Sequence, residues 1–141
     1  MFVIDTNVVV AGLLTGDSDS PPVRILDGML AARFPFLLSP ELLTEYRVVL
    51  LRKPVRKRHR LQEREVDVIL TEIAANSVFR EPQGTAPRQA PKADPGDRHL
   101  IRLLGISLGS SLVTGDRKLQ QALRRFFAVY TPAEFVELKS L

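Results

Sequence analysis

The stretch Met1-Phe2-Val3-Ile4-Asp5-Thr6-Asn7 decides the fold class of this chain. Three apolar residues, two of them β-branched, lead directly into a carboxylate and two small polar side chains, and apolar residues at helical spacing follow from Val9 onward. This pattern predicts a short buried strand that ends at Asp5 and passes into a helix. Because ligands of open α/β sheets bind outside the carboxyl ends of the strands, we expect Asp5 to lie at the edge of a crevice.

Length and composition narrow the class of protein further. The 141 residues predict one domain, covering 1–141, with 45% hydrophobic and 26% charged residues, as is usual for globular proteins. The absence of cysteine excludes disulfides, thiolate metal sites and cysteine nucleophiles. No apolar run reaches membrane-spanning length, and Asp5 interrupts the first one before a signal-peptide core could form. We therefore expect a cytoplasmic protein, and the net charge of +4 suits a polyanionic partner.

Predicted strands and helices alternate along the rest of the chain. Ser39-Pro40 predicts a helix start, with the hydroxyl as N-cap and the proline in the first turn. Residues 81–92 are rich in Pro, Gln and Ala and predict an internal loop. Further strands are predicted within residues 34–38, 77–80, 111–114 and 126–130. The alternation predicts an α/β fold with a mainly parallel, roughly five-stranded sheet and helices on both faces.

Four acidic side chains stand out, and each has a purely structural explanation. Asp5 and Asp116 fit helix N-caps, and Asp97 fits the first turn of a helix that Asp94 would cap. Glu45 lies at the border of the apolar stripe of its helix, where a carboxylate is usually a solvated flank. Taken singly, none of them indicates a functional site.

As a set, the acids indicate a metal site. In a parallel sheet, Asp5 and Asp116 lie at the same edge because both follow a strand. Several carboxylates gathered there would repel one another unless a cation neutralised them. Hard oxygen ligands, without cysteine and with only two histidines in the chain, favour Mg²⁺ or Mn²⁺. Such a site binds phosphate oxygens and activates water for attack on a phosphodiester.

Four motifs occur along the chain in this order: Ile4-Asp5-Thr6-Asn7, Ser39-Pro40-Glu41-Leu42-Leu43-Thr44-Glu45-Tyr46, Asp94-Pro95-Gly96-Asp97 and Val113-Thr114-Gly115-Asp116. Together they resemble the PIN-domain family, and within it the VapC-like toxins of bacterial toxin–antitoxin pairs. The resemblance covers essentially the whole chain and implies a PIN-like three-layer α/β/α sandwich with the activity of an Mg²⁺- or Mn²⁺-dependent ribonuclease. It also implies an RNA substrate, a cognate antitoxin and a homodimer.

The resemblance also assigns roles to individual residues. It implies that Asp5 and Asp116 hold the principal metal ion directly. Glu45 and Asp97 would complete its shell, through water or at a second, substrate-dependent ion. The small polar neighbours that would orient ligands or water in such a site are Thr6, Asn7 and Thr114.

Because of one departure from the family pattern, the identity of the third acidic residue of the site is not decided by the sequence. Many relatives carry a second acid directly after the third one, and this chain has Arg98 there. If the ligand position is that of Arg98, the site is one carboxylate short, and Asp97 or Asp94 must substitute. The same departure supports an alternative, a catalytically degenerate PIN-like scaffold that binds RNA or protein. A haloacid-dehalogenase-like phosphatase is excluded, because its second aspartate would stand where Asn7 does.

The basic segment, defined as residues 52–60, has two interpretations. It contains six lysines and arginines and His59. Such a run is usually a solvated face or loop, but phosphate binding also requires basic clusters near the active crevice. Neither His59 nor His99 has a metal-ligand partner at useful spacing, so both are predicted to be surface residues.

Overall fold

The computed structural model describes residues 1–84 and 94–141, which contain five strands and eight α-helices. The strands are β1 (Phe2–Ile4), β2 (Leu37–Leu38), β3 (Val78–Phe79), β4 (Ser111–Val113) and β5 (Ala128–Tyr130). The helices are α1 (Thr6–Leu14), α2 (Pro21–Leu30), α3 (Pro40–Leu50), α4 (Lys53–His59), α5 (Glu63–Asn76), α6 (Arg98–Leu104), α7 (Arg117–Leu123) and α8 (Pro132–Lys139). A 3₁₀ helix, Pro95–Asp97, precedes α6. Of the predicted loop 81–92, residues 85–92 lie outside the described residues, and 81–84 are neither helix nor strand.

Every strand pairing in the described part of the chain is parallel. One sheet has the order β1-β4-β5, and β2 pairs with β3. An isolated parallel bridge between Phe2 and Phe36 joins the two groups, so that β1 lies in the middle of the order β3-β2-β1-β4-β5. The expected α/β fold with a parallel sheet of about five strands in a three-layer sandwich is confirmed, although the sheet is divided three plus two.

A hydrophobic core holds the central strand against the helices. Val3 and Ile4 of β1 and the apolar side chains of β4 are buried, as expected for parallel strands covered on both faces. From α3, the buried Tyr46 hydroxyl donates a hydrogen bond to the Ile4 carbonyl oxygen at 2.5 Å. This bond fixes α3 beside the carboxyl end of β1. The neighbouring Glu45 is thereby brought close to Asp5.

The basic segment forms a helix of its own, which the sequence did not predict. α3 ends at Leu50, and α4 begins at Lys53 with a proline in its first turn. His59 is half-buried and closes this turn of the chain: its Nε2 donates to the Leu50 carbonyl oxygen at 2.8 Å, and its Nδ1 accepts from the Leu61 N–H at 2.9 Å. The prediction that His59 is a surface residue was therefore wrong. The first hydrogen bond ties α4 to the end of α3, and the second fixes the chain that leaves α4.

A membrane-spanning helix is not found in residues 1–84 and 94–141, where every helix is too short or too polar to cross a bilayer.

Candidate functional site

Asp5 occupies the junction between β1 and α1 and is almost fully buried, with 7% of its surface exposed. Its backbone N–H donates to the Val113 carbonyl oxygen, which continues the pairing of β1 with β4. Its Oδ1 accepts from the Thr6 N–H at 2.8 Å, as an N-cap should. Its Oδ2 accepts from Asn7 Nδ2 at 2.9 Å and from the Thr114 hydroxyl at 2.8 Å. Asp5 is therefore both a cap and the centre of a polar network.

Thr114 connects the ends of the two central strands. Its buried hydroxyl donates to Asp5 and accepts from Asn7 Nδ2 at 3.1 Å and from the Asp116 N–H at 3.0 Å. Asn7 Oδ1 in turn accepts from the Gly115 N–H at 3.0 Å. Each hydroxyl and amide atom of this network thus has a partner that suits its donor or acceptor character. The network fixes the loop after β4 against the start of α1.

Asp116 caps α7, as its sequence position predicts. Its Oδ1 accepts from the N–H groups of Lys118 and Leu119 at 2.9 and 3.2 Å. Its Oδ2 has no hydrogen-bond partner among the described residues. The cap therefore fixes the carboxylate and leaves one of its oxygens available to a ligand.

Glu45 is held between two elements at the edge of the site. Its Oε2 accepts a short hydrogen bond from the Thr6 hydroxyl and lies 3.6 Å from His99 Nε2. His99 is 11% exposed, and its buried Nδ1 has no hydrogen-bond partner within the described ranges. The prediction that His99 is a surface residue was wrong, because α6 packs this ring against α3. Glu45 is thus a positioned carboxylate and not a freely solvated flank.

The two candidates for the third acid differ in position. Asp97, at the end of the 3₁₀ helix, lines the same cleft as Asp5, Glu45 and Asp116. Asp94 is exposed, makes no side-chain cap and does not line that cleft. Asp97, unlike Asp94, therefore shares the cleft with the other acids.

The cleft has a volume of about 520 Å³ and contains charges of both signs. Of the residues singled out in the sequence, those that line it are Asp5, Thr6, Asn7, Glu45, Asp97 and Asp116. Thr114 supports the cleft from behind through its bond to Asp5. Arg52 and Arg58 of the basic segment also line it, although the sequence did not single out either one.

The acids influence one another electrostatically. The pKa of Asp5 is raised, mainly by burial, and repulsion from Glu45 and Asp97 adds to the increase. The hydrogen bonds from Thr114 and Thr6 lower this pKa and offset part of the increase. Burial also raises the pKa of Asp97, and repulsion from Asp94, Asp116 and Glu45 raises it further. The neighbouring His99 lowers the pKa of Asp97. A cation bound among these groups would remove the repulsion.

The backbone gathers the acids, but their side chains are not arranged as a finished metal site. As they stand, no three or more His, Asp or Glu residues within 1–84 and 94–141 are spaced to hold one ion. Asp5 and Asp116 are fixed by caps and the polar network, whereas Asp97 makes no side-chain cap. Shared coordination would therefore require rotation of the less constrained side chains, Asp97 above all.

Comparison with known proteins gives one family. A model described as "PIN domain" matches residues 1–118, which include all four acids of the cleft. No curated protein matches the chain significantly.

Proposed function

The chain belongs to the PIN-domain family, and on this premise we propose that it is a metal-dependent ribonuclease that hydrolyses RNA phosphodiester bonds in its acidic cleft. PIN domains are generally nucleases. One observation supports the proposal above all others: four carboxylates from four separate elements, Asp5, Glu45, Asp97 and Asp116, line a single cleft. A folding requirement alone gives no reason to collect them there, because each raises the cost of ionising its neighbours.

The chemistry of these four acids fits a small divalent cation, Mg²⁺ or Mn²⁺. They offer hard oxygen ligands, and the chain has no cysteine that would favour zinc. In the proposed site Asp5 and Asp116 would hold the principal ion, and Glu45 and Asp97 would complete its shell. A cation bound there supplies Lewis-acid polarisation of the phosphate and activation of water at neutral pH.

The polar neighbours would keep the acids in place during the reaction. Asn7 and Thr114 fix one oxygen of Asp5, so that its orientation does not depend on a ligand. Thr6 holds Glu45 from α1, across the cleft from its own helix. This preorganisation lowers the cost of arranging the acids around a substrate phosphate.

The finer part of the proposal is a biological role. We infer that the ribonuclease is a VapC-like toxin, kept inactive by a cognate antitoxin and acting as a homodimer. The order and spacing of the four motifs support this role. Expression of this chain alone in bacteria tests the role. The wild type should arrest growth, and Asp5→Asn should abolish the arrest. Growth that is unaffected by the wild type would count against a toxin.

A direct test of the ribonuclease is Mn²⁺ titration by calorimetry, with RNA cleavage assayed on the same samples. The variants are Asp5→Asn, Asp97→Asn and, as a matched control, Asp94→Asn. We expect binding and cleavage to be lost in the first two and kept in the control, because Asp94 does not line the cleft. Loss in Asp94→Asn but not in Asp97→Asn would reverse the assignment of the third acid.

The rival function is a degenerate scaffold, which Arg98 and the unfinished arrangement of the acids favour. A scaffold should show no Mn²⁺-dependent cleavage, and Asp5→Asn should leave its RNA affinity unchanged or raise it. If folded wild type neither binds Mn²⁺ nor cleaves RNA, the ribonuclease proposal is refuted.

A further inference from the structure

As a ribonuclease, the protein would have to accept a polyanion in the acidic cleft, although the four carboxylates there repel one. An RNA backbone carries one negative charge per nucleotide, so the acids of the cleft would oppose its approach. These acids are Asp5, Glu45, Asp97 and Asp116. A bound cation offsets this charge at the reacting phosphate. Phosphates next to the scissile one still require cationic partners within the protein.

The orientation of α4 divides the basic segment into two sides. Val55 and His59 are half-buried, and Val55 packs against the core, which defines the inner side of the helix. Arg52 and Arg58 lie about 60° to either side of Val55 by helical geometry. The outer side carries, among others, Arg56 and Lys57, which lie about 100° and 160° from Val55.

Arg52 and Arg58 are the members of the basic segment that line the acidic cleft. Arg52 also lines an adjoining groove of about 450 Å³, which passes over α3 beside Val48 and His99. Neither arginine forms an ion pair with a carboxylate in the described part of the chain. Two arginine side chains thus line the acidic cleft without an ion-pair partner among residues 1–84 and 94–141.

Arg58 lies on α4 and Arg52 is the N-cap residue directly before it, and this helix is tied to its neighbours at its end. His59 ties the end of α4 to the Leu50 carbonyl oxygen and to the Leu61 N–H. The next residue, Arg60, takes a left-handed conformation with φ of 59°, which turns the chain away from the helix. Because α4 also contacts α1, its position relative to Asp5 is set by both neighbours.

We propose that Arg52 and Arg58 bind the RNA phosphates adjacent to the scissile one, and that Arg52 directs the strand towards the adjoining groove. A guanidinium can bind a phosphate through two parallel hydrogen bonds, which fixes position as well as charge. The arginines are positioning residues and take no part in bond breaking. This inference rests on the proposed ribonuclease function.

The test compares two double variants that remove the same charge. Arg52→Gln/Arg58→Gln removes the inner pair, and Arg56→Gln/Lys57→Gln removes an outer pair. The probe is a short, fluorescein-labelled single-stranded RNA of mixed sequence. Its affinity is measured by anisotropy at several salt concentrations with EDTA present, and its cleavage is measured with Mn²⁺. Thermal unfolding of each variant checks that the fold is kept.

The inner pair should have the larger effect on both readouts. Each phosphate contact to single-stranded RNA contributes roughly 0.7 to the slope of log K against log salt concentration, so the slope should fall by about 1.4. KM should rise by about tenfold while kcat changes little, because the arginines bind the substrate equally before and during the reaction. The outer pair should change both quantities far less. Arg52→Lys/Arg58→Lys should restore the salt slope but only part of the affinity.

The outcomes separate this inference from the ribonuclease proposal. Equal effects of the inner and outer pairs would overturn the inference, since the basic segment would then act as a diffuse charge. If the wild type cleaves RNA and the inner-pair variant has an unchanged KM, the inference about the arginines is overturned as well, while the ribonuclease proposal is supported. A reduced slope in the inner-pair variant, with no cleavage by wild type, would support the arginine contacts and refute the ribonuclease.

Discussion

The substitution Thr114→Val tests whether the polar network stabilises the charge of Asp5. Valine keeps the shape of the buried side chain and removes the hydroxyl that donates to Asp5 Oδ2 at 2.8 Å. It also removes the acceptor of the Asp116 N–H. The Asp5 carboxylate then keeps two of its three hydrogen bonds, from Thr6 and Asn7.

The expected loss of stability depends on pH. Losing a hydrogen bond to a charged group costs about 1.5–3 kcal/mol, and losing the neutral bond to the Asp116 N–H costs about 1 kcal/mol. The pKa of Asp5 is raised above 3.8 in the folded state, and removal of the Thr114 bond, which lowers it, raises it further. Folding therefore becomes less favourable as the pH rises above 3.8, and more so in the variant. We expect Thr114→Val to lower the free energy of unfolding by about 3 kcal/mol at pH 7. Near pH 4 this decrease should be smaller by about 1–2 kcal/mol.

Urea unfolding in EDTA at both pH values measures this difference. Thr71→Val is a matched control, because its exposed hydroxyl donates to the Asp67 carbonyl oxygen within one helix, and its effect should stay within about 0.5 kcal/mol at either pH. An equal loss for Thr114→Val at pH 7 and near pH 4 would refute the reasoning. The hydroxyl would then stabilise the fold without stabilising the charge on Asp5.

Two further substitutions test how the site is attached to the sheet. Tyr46→Phe should cost about 1–2 kcal/mol in urea unfolding at pH 7, because the Ile4 carbonyl oxygen loses its buried partner. The pKa of Tyr46 is raised well above 10, so the wild type should lose stability above pH 10 as the tyrosine of the unfolded state ionises. Tyr46→Phe should lack this loss. Parallel curves of stability against pH for the two proteins would contradict the expectation. Ser39→Ala should cost about 1 kcal/mol, since its hydroxyl caps the Leu42 N–H at 3.1 Å, and an unchanged urea midpoint would show that this cap contributes little.

The sequence predicts well the features that depend on neighbouring residues. The change from strand to helix at Asp5 and the helix start at Ser39 were predicted and are confirmed, because each is encoded by a few adjacent side chains. The shared edge for Asp5 and Asp116 followed from the parallel sheet, in which the carboxyl ends of all the strands lie at the same edge.

The features that the sequence did not predict depend on packing between distant elements. α4 lacks the apolar periodicity that marks an amphipathic helix, since Val55 is its one aliphatic residue besides proline. The burial of His99 results from the packing of α6 against α3. The distinction of Arg52 and Arg58 from the outer cations follows from the angle at which α4 is docked. None of these has a local signal in the sequence.

The central position of β1 has a consequence for synthesis of the chain. Residues 2–4 leave the ribosome before residues 111–113, with which they pair, and the Asp5 carboxylate receives one of its hydrogen bonds from Thr114. A nascent chain shorter than this point has no β4 with which to form the middle of the sheet, and it lacks Asp116 as well. The acidic cleft therefore cannot exist on a nascent chain that ends before Asp116. The same topology that joins the acids delays their assembly until β4 and Asp116 have been translated.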